Sequence, residues 1–250
     1  MAPRLAAAPR LAVFSDFDGT LAPIIRHPDQ ARLPAATRAA LRRLCRLPRL
    51  AVGVVSGRAL GDLRRRVGLD GLYYIGTHGV EWSGPNGRHH AAVGARFKAR
   101  IQELGQALEA KLKQLPGIYV ERKTASVAVH YRNAPMHAAE RARYLVRREA
   151  KHSPLRVRLL EGKKVLELLP PGEMDKGRAV LELARRIGAG HRPLVVYLGD
   201  DVTDESVFRR LGADDVGIHI GRNEPSRASY RLSSPAEACR FLERLAKVRE

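Results

Sequence analysis

Cysteine is almost absent from this chain. Its 250 residues include only Cys45 and Cys239. Two cysteines so far apart in the sequence form neither a metal-ligand pair nor a disulfide framework. This excludes a small disulfide-rich secreted domain and fits a reducing compartment, so we expect a cytoplasmic location.

Long apolar runs are also missing, since no stretch of about 18 uncharged apolar residues occurs. The sequence therefore predicts no membrane-spanning helix and no membrane partner. Residues 1–10, with alanines and two arginines, have the composition of a targeting segment. The apolar run at 11–14 ends directly in acidic residues, so we interpret it as a core strand rather than the apolar part of a cleavable leader.

Aromatic and acidic residues are both scarce. Aromatics make up 5% of the chain, and 45 Lys and Arg outnumber 26 Asp and Glu, which gives a net charge of +19. Such an excess is typical of proteins that bind nucleic acid. Here the arginines are scattered among alanines and leucines at 38–46 and 141–148, as on solvated helix faces, and few aromatics remain for base stacking. We expect no nucleic-acid partner.

The rest of the composition is that of an ordinary globular protein, with 44% hydrophobic and 28% charged residues. A chain of this length forms one large α/β domain or two smaller ones.

The most informative stretch is residues 13–20, with the sequence VFSDFDGT. An apolar strand here ends on Asp16 and Asp18, followed by Gly19 and Thr20. Open α/β sheets bind their ligands at the carboxyl ends of their strands. The stretch therefore predicts an active site built around two carboxylates.

Strands and helices alternate on both sides of this stretch, which predicts a doubly wound parallel sheet. The predicted strands are at 50–55, 72–75, 194–198 and 217–220, and the predicted helices are at 34–47, through 62–63 to about 67, at 177–187 and at 235–247. Each of the first, second and third of these strands ends in small, polar or acidic residues. The strand ends should therefore share one rim.

A different pattern interrupts this alternation after a turn at 84–87. The predicted order is a helix (93–114), two strands (119–123 and 126–131), a helix (135–152) and two strands (155–160 and 165–169) around a turn at Glu161 and Gly162. This is a self-contained α+β module. We predict an inserted cap domain at 83–169 in a core made of 1–82 and 170–250.

Four elements of the predicted rim carry chemistry: the acids Asp16 and Asp18, the hydroxyl of Ser56, Lys176, and the acids at 200–204. Carboxylates crowded together repel each other unless a divalent cation lies among them, and hard oxygen ligands suit Mg²⁺. A metal and a lysine neutralise the charge of a reacting phosphate. A hydroxyl and backbone amides hold its oxygens. These elements predict phosphoryl transfer with Mg²⁺ as cofactor.

The motif at 16–20 is less specific when it stands alone. It matches part of an EF-hand calcium loop, but residue 20 is Thr and no Glu occupies the twelfth position of such a loop. Asp18 and Gly19 alone also occur in simple turns or helix caps. The order of all four elements, each at a strand end or a helix start, favours the phosphoryl-transfer hypothesis.

The order of these motifs resembles the haloacid dehalogenase-like (HAD) phosphatases, with D-x-D-G-T, a hydroxyl after the second strand, a lysine and a late G-D-D-x-x-D. The resemblance implies a Rossmann-like core with a C2-type α+β cap. It implies that Asp16 is the nucleophile that forms an aspartyl phosphate, that Asp18 is the general acid and base, and that Lys176 is catalytic. The substrate-binding residues that it implies in the core are Thr20, Ser56, Gly57 and Arg58. The metal-binding residues that it implies are Asp16, Asp18 (through its carbonyl), Asp200, Asp201 and Asp204.

A finer set of motifs resembles the trehalose-6-phosphate phosphatase family from about residue 12 to 232. These are FSDFDGTLAPI (14–24), SGR (56–58), GTHGVE (76–81), ERK (121–123), HYR (130–132), Glu167, and YLGDDVTDE (197–205). An aspartate often follows this last motif in the family, and Ser206 stands here instead. The resemblance implies a phosphoric monoester hydrolase that converts trehalose 6-phosphate to trehalose and phosphate and depends on Mg²⁺. We expect the protein to be a monomer.

The resemblance also assigns five residues of the predicted cap to the sugar: Glu121, Lys123, Arg132, Lys163 and Glu167. Strand alternation supports part of this, since Glu121 and Lys123 share a face and Lys163 and Glu167 are an even number apart. The alternative is an exposed, salt-bridged sheet face. The core motifs fit equally well a related phosphatase of another sugar phosphate, such as sucrose phosphate or mannosyl-3-phosphoglycerate. A nucleic-acid-binding protein on a phosphatase scaffold is the third hypothesis.

Overall fold

The computed structural model describes residues 2–25, 30–87, 89–91, 93–162, 164–188, 190–222 and 224–250. The chain divides into two compact units: Met1–His90 with Met174–Glu250, and Ala91–Glu173. The insertion at 83–169, inferred from the sequence, stays a prediction.

The first unit contains most of the helices and strands. The α-helices among the described residues of both units are α1 (Ala2–Ala7), α2 (Ala35–Cys45), α3 (Leu60–Val67), α4 (Ala95–Leu112), α5 (Met136–His152), α6 (Lys176–Gly188), α7 (Glu205–Phe208) and α8 (Pro235–Arg249). The strands are β1 (Leu11–Asp16), β2 (Leu50–Val55), β3 (Tyr73–Gly76), β4 (Glu81–Ser83), β5 (His89–Ala91), β6 (Tyr119–Arg122), β7 (Val127–His130), β8 (Arg158–Gly162), β9 (Val165–Leu169), β10 (Leu194–Gly199), β11 (Val216–Ile220) and β12 (Tyr230–Leu232).

An eight-stranded sheet organises the first unit, in the order β12-β11-β10-β1-β2-β3-β4-β5. The six strands from β12 to β3 are parallel, and β4 is antiparallel to β3. The predicted doubly wound parallel sheet is therefore confirmed. The sequence patterns missed α1, α7, β4, β5 and β12, because elements of three to six residues are too short to show a periodicity.

Helices cover both faces of this sheet, and the central strand β1 is buried along its whole length. Leu11 and Val13 belong to a core that includes residues of α2 and α8, whereas Phe14 belongs to a core that includes residues of α6 and α7. A strand buried on both faces is apolar at successive positions, as residues 11–14 are.

The position of β1 explains where a site forms. β1 pairs with β2 on one side and with β10 on the other. After β1 the chain first adds strands on the β2 side of the sheet, and it later adds strands on the β10 side. Ligands of open α/β sheets bind outside the carboxyl ends of the strands at such a switch point. Asp16 ends β1 and Asp200 follows β10 at this point.

The second unit is a four-stranded antiparallel sheet, in the order β6-β7-β9-β8, with α4 and α5 packed on one face. Its core includes Val127 and Val129 from the sheet, Ile101 from α4 and Val146 from α5. Residues alternate between the two faces of a strand, so the face opposite the helices carries the intervening residues.

One predicted turn in this unit is wrong. Glu161 and Gly162 lie inside β8, where Gly162 pairs with Val165 of β9. The chain reverses after Gly162, and Lys164 has a φ of 67°, the left-handed conformation that tight hairpin loops require. The glycine that suggested a turn is instead the last residue of the strand.

Among the described residues, none of the helices combines the length and apolar character needed to cross a bilayer.

Candidate active site

Two carboxylates and a lysine are buried together at the switch point. Lys176, the first residue of α6, donates from Nζ to Asp16 Oδ1 at 2.7 Å and to Asp204 Oδ1 at 2.8 Å. Asp16, Lys176 and Asp204 are 4%, 3% and 0% exposed. The structure thus brings together predicted residues from three distant segments. Buried charges of this kind are tolerated only when they are paired.

Asp204 connects several groups of this cluster through hydrogen bonds. Its Oδ1 also accepts a hydrogen bond from Tyr197 Oη at 2.6 Å, and its Oδ2 accepts from the backbone N–H groups of Asp200 and Asp201, both at 3.0 Å. With the bond from Lys176, its two oxygens accept four hydrogen bonds. Asp204 therefore fixes the lysine, the strand β10 and the loop that carries Asp200.

The electrostatics of the cluster are dominated by burial. Burial, partly offset by Lys176, raises the pKa of Asp16 well above its usual value. Burial and the neighbouring Asp204 raise the pKa of Asp200 to about 7. The pKa of Lys176 rises despite its burial, because Asp16 and Asp204 stabilise the charged ammonium group. When Asp16 and Asp200 are ionised, they repel each other and Asp204. A further cation would relieve this repulsion.

The donor set fits a hard divalent cation. Carboxylate oxygens of Asp16, Asp200 and Asp204 lie within 4.8 Å of one another. Since Asp204 already accepts four hydrogen bonds, Asp16 and Asp200 are better placed to be direct ligands. Oxygen ligands of this kind suit Mg²⁺. In the part of the chain that the structure describes, the side chains of Asp18 and Asp201 do not belong to this cluster.

The raised pKa of Asp200 predicts a pH-dependent stability. Between about pH 4 and pH 7 the folded protein binds more protons than the unfolded chain, so the free energy of unfolding falls as pH rises through this window. At pH 8, saturating Mg²⁺ should raise the Tm by about 5–10 °C relative to protein in EDTA. Differential scanning calorimetry at several pH values measures both effects. Equal Tm values with Mg²⁺ and with EDTA at pH 8 would contradict this prediction.

The loop that follows β1 packs against Asp200. Thr20 is buried, and its Oγ1 donates to Asp200 Oδ1 at 3.1 Å. Gly19 has a φ of +89°, and a Cβ at this position would lie 2.2 Å from Asp200 Oδ2. The glycine of the motif is therefore required by both its conformation and this close approach.

Asp18 lies apart from the buried cluster, in an ion pair with Arg58. Arg58 Nε donates to Asp18 Oδ2 at 2.7 Å and Nη2 donates to Asp18 Oδ1 at 2.6 Å. The Asp18 side chain is 38% exposed, whereas that of Arg58 is 9% exposed. The guanidinium group therefore holds both carboxylate oxygens in the bidentate geometry typical of arginine–carboxylate pairs.

The segment after β2 is tied to the turn after β3. Ser56 is buried, and its Oγ accepts from the backbone N–H of Arg58 at 3.1 Å. The backbone N–H groups of Thr77 and His78 donate to the carbonyl oxygens of Arg58 and Ser56. Gly57 packs closely on His78, since a Cβ on Gly57 would lie 2.4 Å from His78 Nε2. Thr77 and His78 both have positive φ, a conformation that non-glycine residues adopt mostly where neighbouring structure enforces it.

A second polar cluster lies on the sheet face of the second unit opposite its helices. Lys123 Nζ lies 3.0 Å from Glu167 Oε1 and 4.0 Å from Glu121 Oε2. Ser126 Oγ donates to Glu167 Oε1 at 2.6 Å, and His130 Nε2 lies 2.9 Å from Glu121 Oε2. The pKa of Glu121 is lowered, because His130 and Lys123 outweigh the effect of burial. The structure thus brings three of the predicted sugar-binding residues, Glu121, Lys123 and Glu167, together on one face.

Two further sugar-binding residues were predicted, Arg132 and Lys163. Arg132 follows β7 and is exposed. Lys163 lies outside the described residues.

Four residues of these clusters were missed from the sequence: Ser126, His130, Tyr197 and Asp62, the last an ion-pair partner of Arg58. Tyr197 belongs to the motif at 197–205, but it was not assigned to the site, because an aromatic residue in an apolar strand is typical of a core. Ser126 and His130 lie an even number of residues apart, and this alternation could have placed them on one face. Asp62 lies four residues from both Arg58 and Arg66, a spacing typical of helical ion pairs.

Comparison with known sequences gives one family. The model of the trehalose-phosphatase family matches residues 14–236. A trehalose-phosphate phosphatase of Mycobacterium avium (strain 104) is 43% identical over 248 residues, which cover 94% of this chain and 62% of that relative. The chain thus spans less than two thirds of the length of this relative.

Comparison with solved structures supports the fold. The C-terminal domain of the trehalose-6-phosphate phosphatase of C. albicans superposes with a TM-score of 0.82 at 20% identity, covering 98% of this chain and 95% of that domain. A haloacid dehalogenase-like hydrolase from B. subtilis superposes with a TM-score of 0.64 at 16% identity, covering 93% of this chain and 98% of that protein. At these identities the two likenesses show the fold alone, which is the HAD fold expected from the motifs.

Proposed function

We propose, because the chain belongs to the trehalose-phosphatase family, that it hydrolyses trehalose 6-phosphate to trehalose and phosphate. The observation that carries this proposal is the cluster of Asp16, Lys176, Asp200 and Asp204 at the carboxyl ends of β1 and β10. It combines a buried carboxylate nucleophile, a fixed cation and oxygen ligands for a metal.

In the first step, a carboxylate oxygen of Asp16 attacks the phosphorus atom. The bond between phosphorus and the sugar oxygen breaks, and Asp18 gives its proton to that oxygen, so that an aspartyl phosphate and free trehalose form. Lys176 stays within hydrogen-bond distance of Asp16 and neutralises charge on the phosphoryl group. For this step Asp18 must carry a proton on one oxygen, while its other oxygen keeps the hydrogen bond from Arg58.

In the second step, water attacks the phosphorus atom of the aspartyl phosphate. Asp18 takes a proton from the water, and the bond between phosphorus and Asp16 breaks, which releases phosphate and restores the carboxylate. The ion pair with Arg58 supports this step, because its two hydrogen bonds hold the carboxylate of Asp18 in one orientation. Ser56 and Thr20, with Gly57, are proposed to bind the phosphate end of the substrate.

Asp16, the carbonyl of Asp18 and Asp200 would hold Mg²⁺, which as a bound Lewis acid would neutralise charge on the phosphoryl oxygens. Asp204 is proposed to support this site through its hydrogen bonds to Lys176 and to the backbone of residues 200 and 201. Asp201 is the remaining acid proposed for the metal site.

The sheet face of the second unit is proposed to select the sugar. Beyond its phosphate, a non-reducing disaccharide offers mainly hydroxyl groups, and the carboxylates of Glu121 and Glu167 with the ammonium group of Lys123 match them as acceptors and donors. Arg132 and Lys163 are the further residues that we assign to the sugar. A site of this kind rejects analogues that leave its polar groups unpaired.

A panel of sugar phosphates assayed with Mg²⁺ tests the substrate. We expect trehalose 6-phosphate to have a much higher kcat/KM than glucose 6-phosphate, sucrose phosphate or mannosyl-3-phosphoglycerate. Equal kcat/KM values for trehalose 6-phosphate and glucose 6-phosphate would overturn the substrate assignment. A preference for sucrose phosphate or mannosyl-3-phosphoglycerate would establish the alternative, a related phosphatase on the same core.

The sugar-binding face is tested by Glu121→Ala and Glu167→Ala. Each variant should raise the KM for trehalose 6-phosphate by about 10- to 100-fold, since a hydrogen bond to a charged group contributes about 1.5–3 kcal/mol. Turnover of a small aryl phosphate, which has no sugar, should change little. The matched control is Glu103→Ala, which removes an exposed glutamate from α4. If the KM for trehalose 6-phosphate stays the same in both variants, the sugar is bound elsewhere.

A monomeric state, a cytoplasmic location and the absence of a nucleic-acid partner are the remaining parts of the proposal. They rest on the sequence composition and not on the geometry of the site.

A further inference from the structure

The Arg58 guanidinium lies between two carboxylates. Its Nε and Nη2 donate to Asp18, and its Nη1 donates to Asp62 Oδ2 at 3.1 Å. Its Cζ atom lies 5.6 Å from the centre of the Phe17 ring. The planar group is therefore fixed at both edges and packed against an aromatic ring.

Asp62, in the first turn of α3, gathers three arginines. Besides Arg58, its Oδ2 accepts from Arg66 Nε at 2.6 Å, and its Oδ1 accepts from Arg65 Nη2 at 2.5 Å. Burial alone would raise the pKa of Asp62, but Arg66 and Arg58 lower it below the usual value. The Asp62 side chain is 19% exposed and that of Arg66 is 12% exposed, so the pairs of Asp62 with Arg58 and Arg66 are largely removed from water, whereas Arg65 is exposed.

We propose that Asp62 is a positioning residue for the phosphatase reaction, because it holds the Arg58 guanidinium so that two donors face the carboxylate of Asp18. This inference rests on the proposed function. An arginine anchored at Nη1 presents its opposite edge, Nε and Nη2, in the fork that matches a carboxylate. Without the anchor, the guanidinium is free to rotate about its last side-chain bonds and to lose one of the two hydrogen bonds.

This arrangement predicts which kinetic constant changes. Asp18 acts on the leaving oxygen and on water, and a displacement of about 1 Å in a reacting group costs about 100-fold in rate. A residue that places Asp18 through Arg58 should therefore affect kcat. If Arg58 served only to bind substrate, loss of its anchor would instead raise KM and leave kcat unchanged.

The first test is Asp62→Asn, assayed on trehalose 6-phosphate and on a small aryl phosphate. We expect kcat to fall about 10-fold or more on both substrates, with KM changed by less than about threefold. Asp62→Glu, which keeps the charge, should recover part of the loss. Arg66→Met is the matched control, because it removes the other largely buried ion pair of Asp62 and leaves the pair with Arg58. The Tm of each variant verifies that the assayed protein is folded.

The second test is a double-mutant cycle with Arg58→Lys, whose ammonium group cannot bridge both carboxylates in the same way. In that background Asp62→Asn should lower kcat by less than about twofold further, because the two residues act as one unit. Additive effects, a wild-type kcat in Asp62→Asn, or an equal loss in Arg66→Met would each overturn the inference. If the wild-type enzyme shows no preference for trehalose 6-phosphate, only the proposed substrate is overturned. The role of Asp62 is still tested, because kcat of the variants relative to wild type can be measured on the aryl phosphate.

Discussion

Asp16→Asn is expected to lower the turnover of trehalose 6-phosphate by on the order of 10⁵-fold or more, the scale of loss seen when a catalytic nucleophile is removed. An amide oxygen does not form the acyl phosphate, so both steps of the reaction are lost. The folded structure should survive, because the Asn side chain has nearly the same shape and its oxygen still accepts from Lys176. The raised pKa of Asp16 shows that its charge is costly in this place, so we expect an unchanged or higher Tm in the absence of Mg²⁺.

The measurement is phosphate release at saturating substrate, together with acid quenching of a radiolabelled phosphate ester. The wild-type protein should retain label covalently after the quench, and the variant should retain none. Asp70→Asn, at an exposed position, is the matched control and should keep both turnover and labelling. Labelling of the Asp16→Asn protein at the wild-type level would place the nucleophile at another residue.

Lys176→Met is the second substitution with a large expected effect. Lys176 is 3% exposed and pairs with Asp16 and Asp204. Removing one partner of a buried ion pair leaves an uncompensated charge and costs about 3–5 kcal/mol. Turnover should also fall by about 100- to 1,000-fold, because a fixed positive charge next to the reacting phosphoryl group is lost.

Urea unfolding at about pH 7 without divalent cations measures the loss of stability. The loss should be smaller at pH 5, because Asp200, whose pKa is raised to about 7, is largely protonated there and the raised pKa of Asp16 acts in the same direction, so fewer uncompensated charges remain. Mg²⁺ should restore part of the stability at pH 7 by neutralising the same carboxylates. Lys247→Met on α8, at an exposed position, is the control. A variant as stable as the wild-type protein at pH 7 without Mg²⁺ would mean that the cluster does not depend on this lysine.

The sequence alone was sufficient for the fold class and for the location of the core site. Strands buried on both faces are continuously apolar, and the acids that follow them stand out against that background, as at residues 11–18 and 194–204. The alternation of such strands with amphipathic helices dictates a doubly wound sheet, whose switch point then brings Asp16 and Asp200 to the same rim.

The roles within the cluster depended on the tertiary structure. The resemblance implied that Asp200 binds the metal and that Asp201 and Asp204 support or complete its site, but it left open which of these two contacts the metal directly. The fold distinguishes Asp204, whose oxygens accept bonds from Lys176, Tyr197 and two backbone N–H groups, from Asp200, which accepts one from Thr20. No local pattern carries this information, because Lys176 and Asp204 are 28 residues apart and meet only after α6 and β10 have packed.

Residues 16–20 also show which properties the sequence determined and which depended on the tertiary structure. The sequence determined that two carboxylates follow a buried strand and that a glycine allows a sharp turn after them. Only the packed structure decided that Asp16 points to Lys176 while Asp18 points to Arg58, which separates the buried, proposed nucleophile from the half-exposed, proposed acid and base. The physical reason is that a residue's chemistry depends on burial and on the charges around it. Partners that lie 160 and 40 residues away supply those charges here.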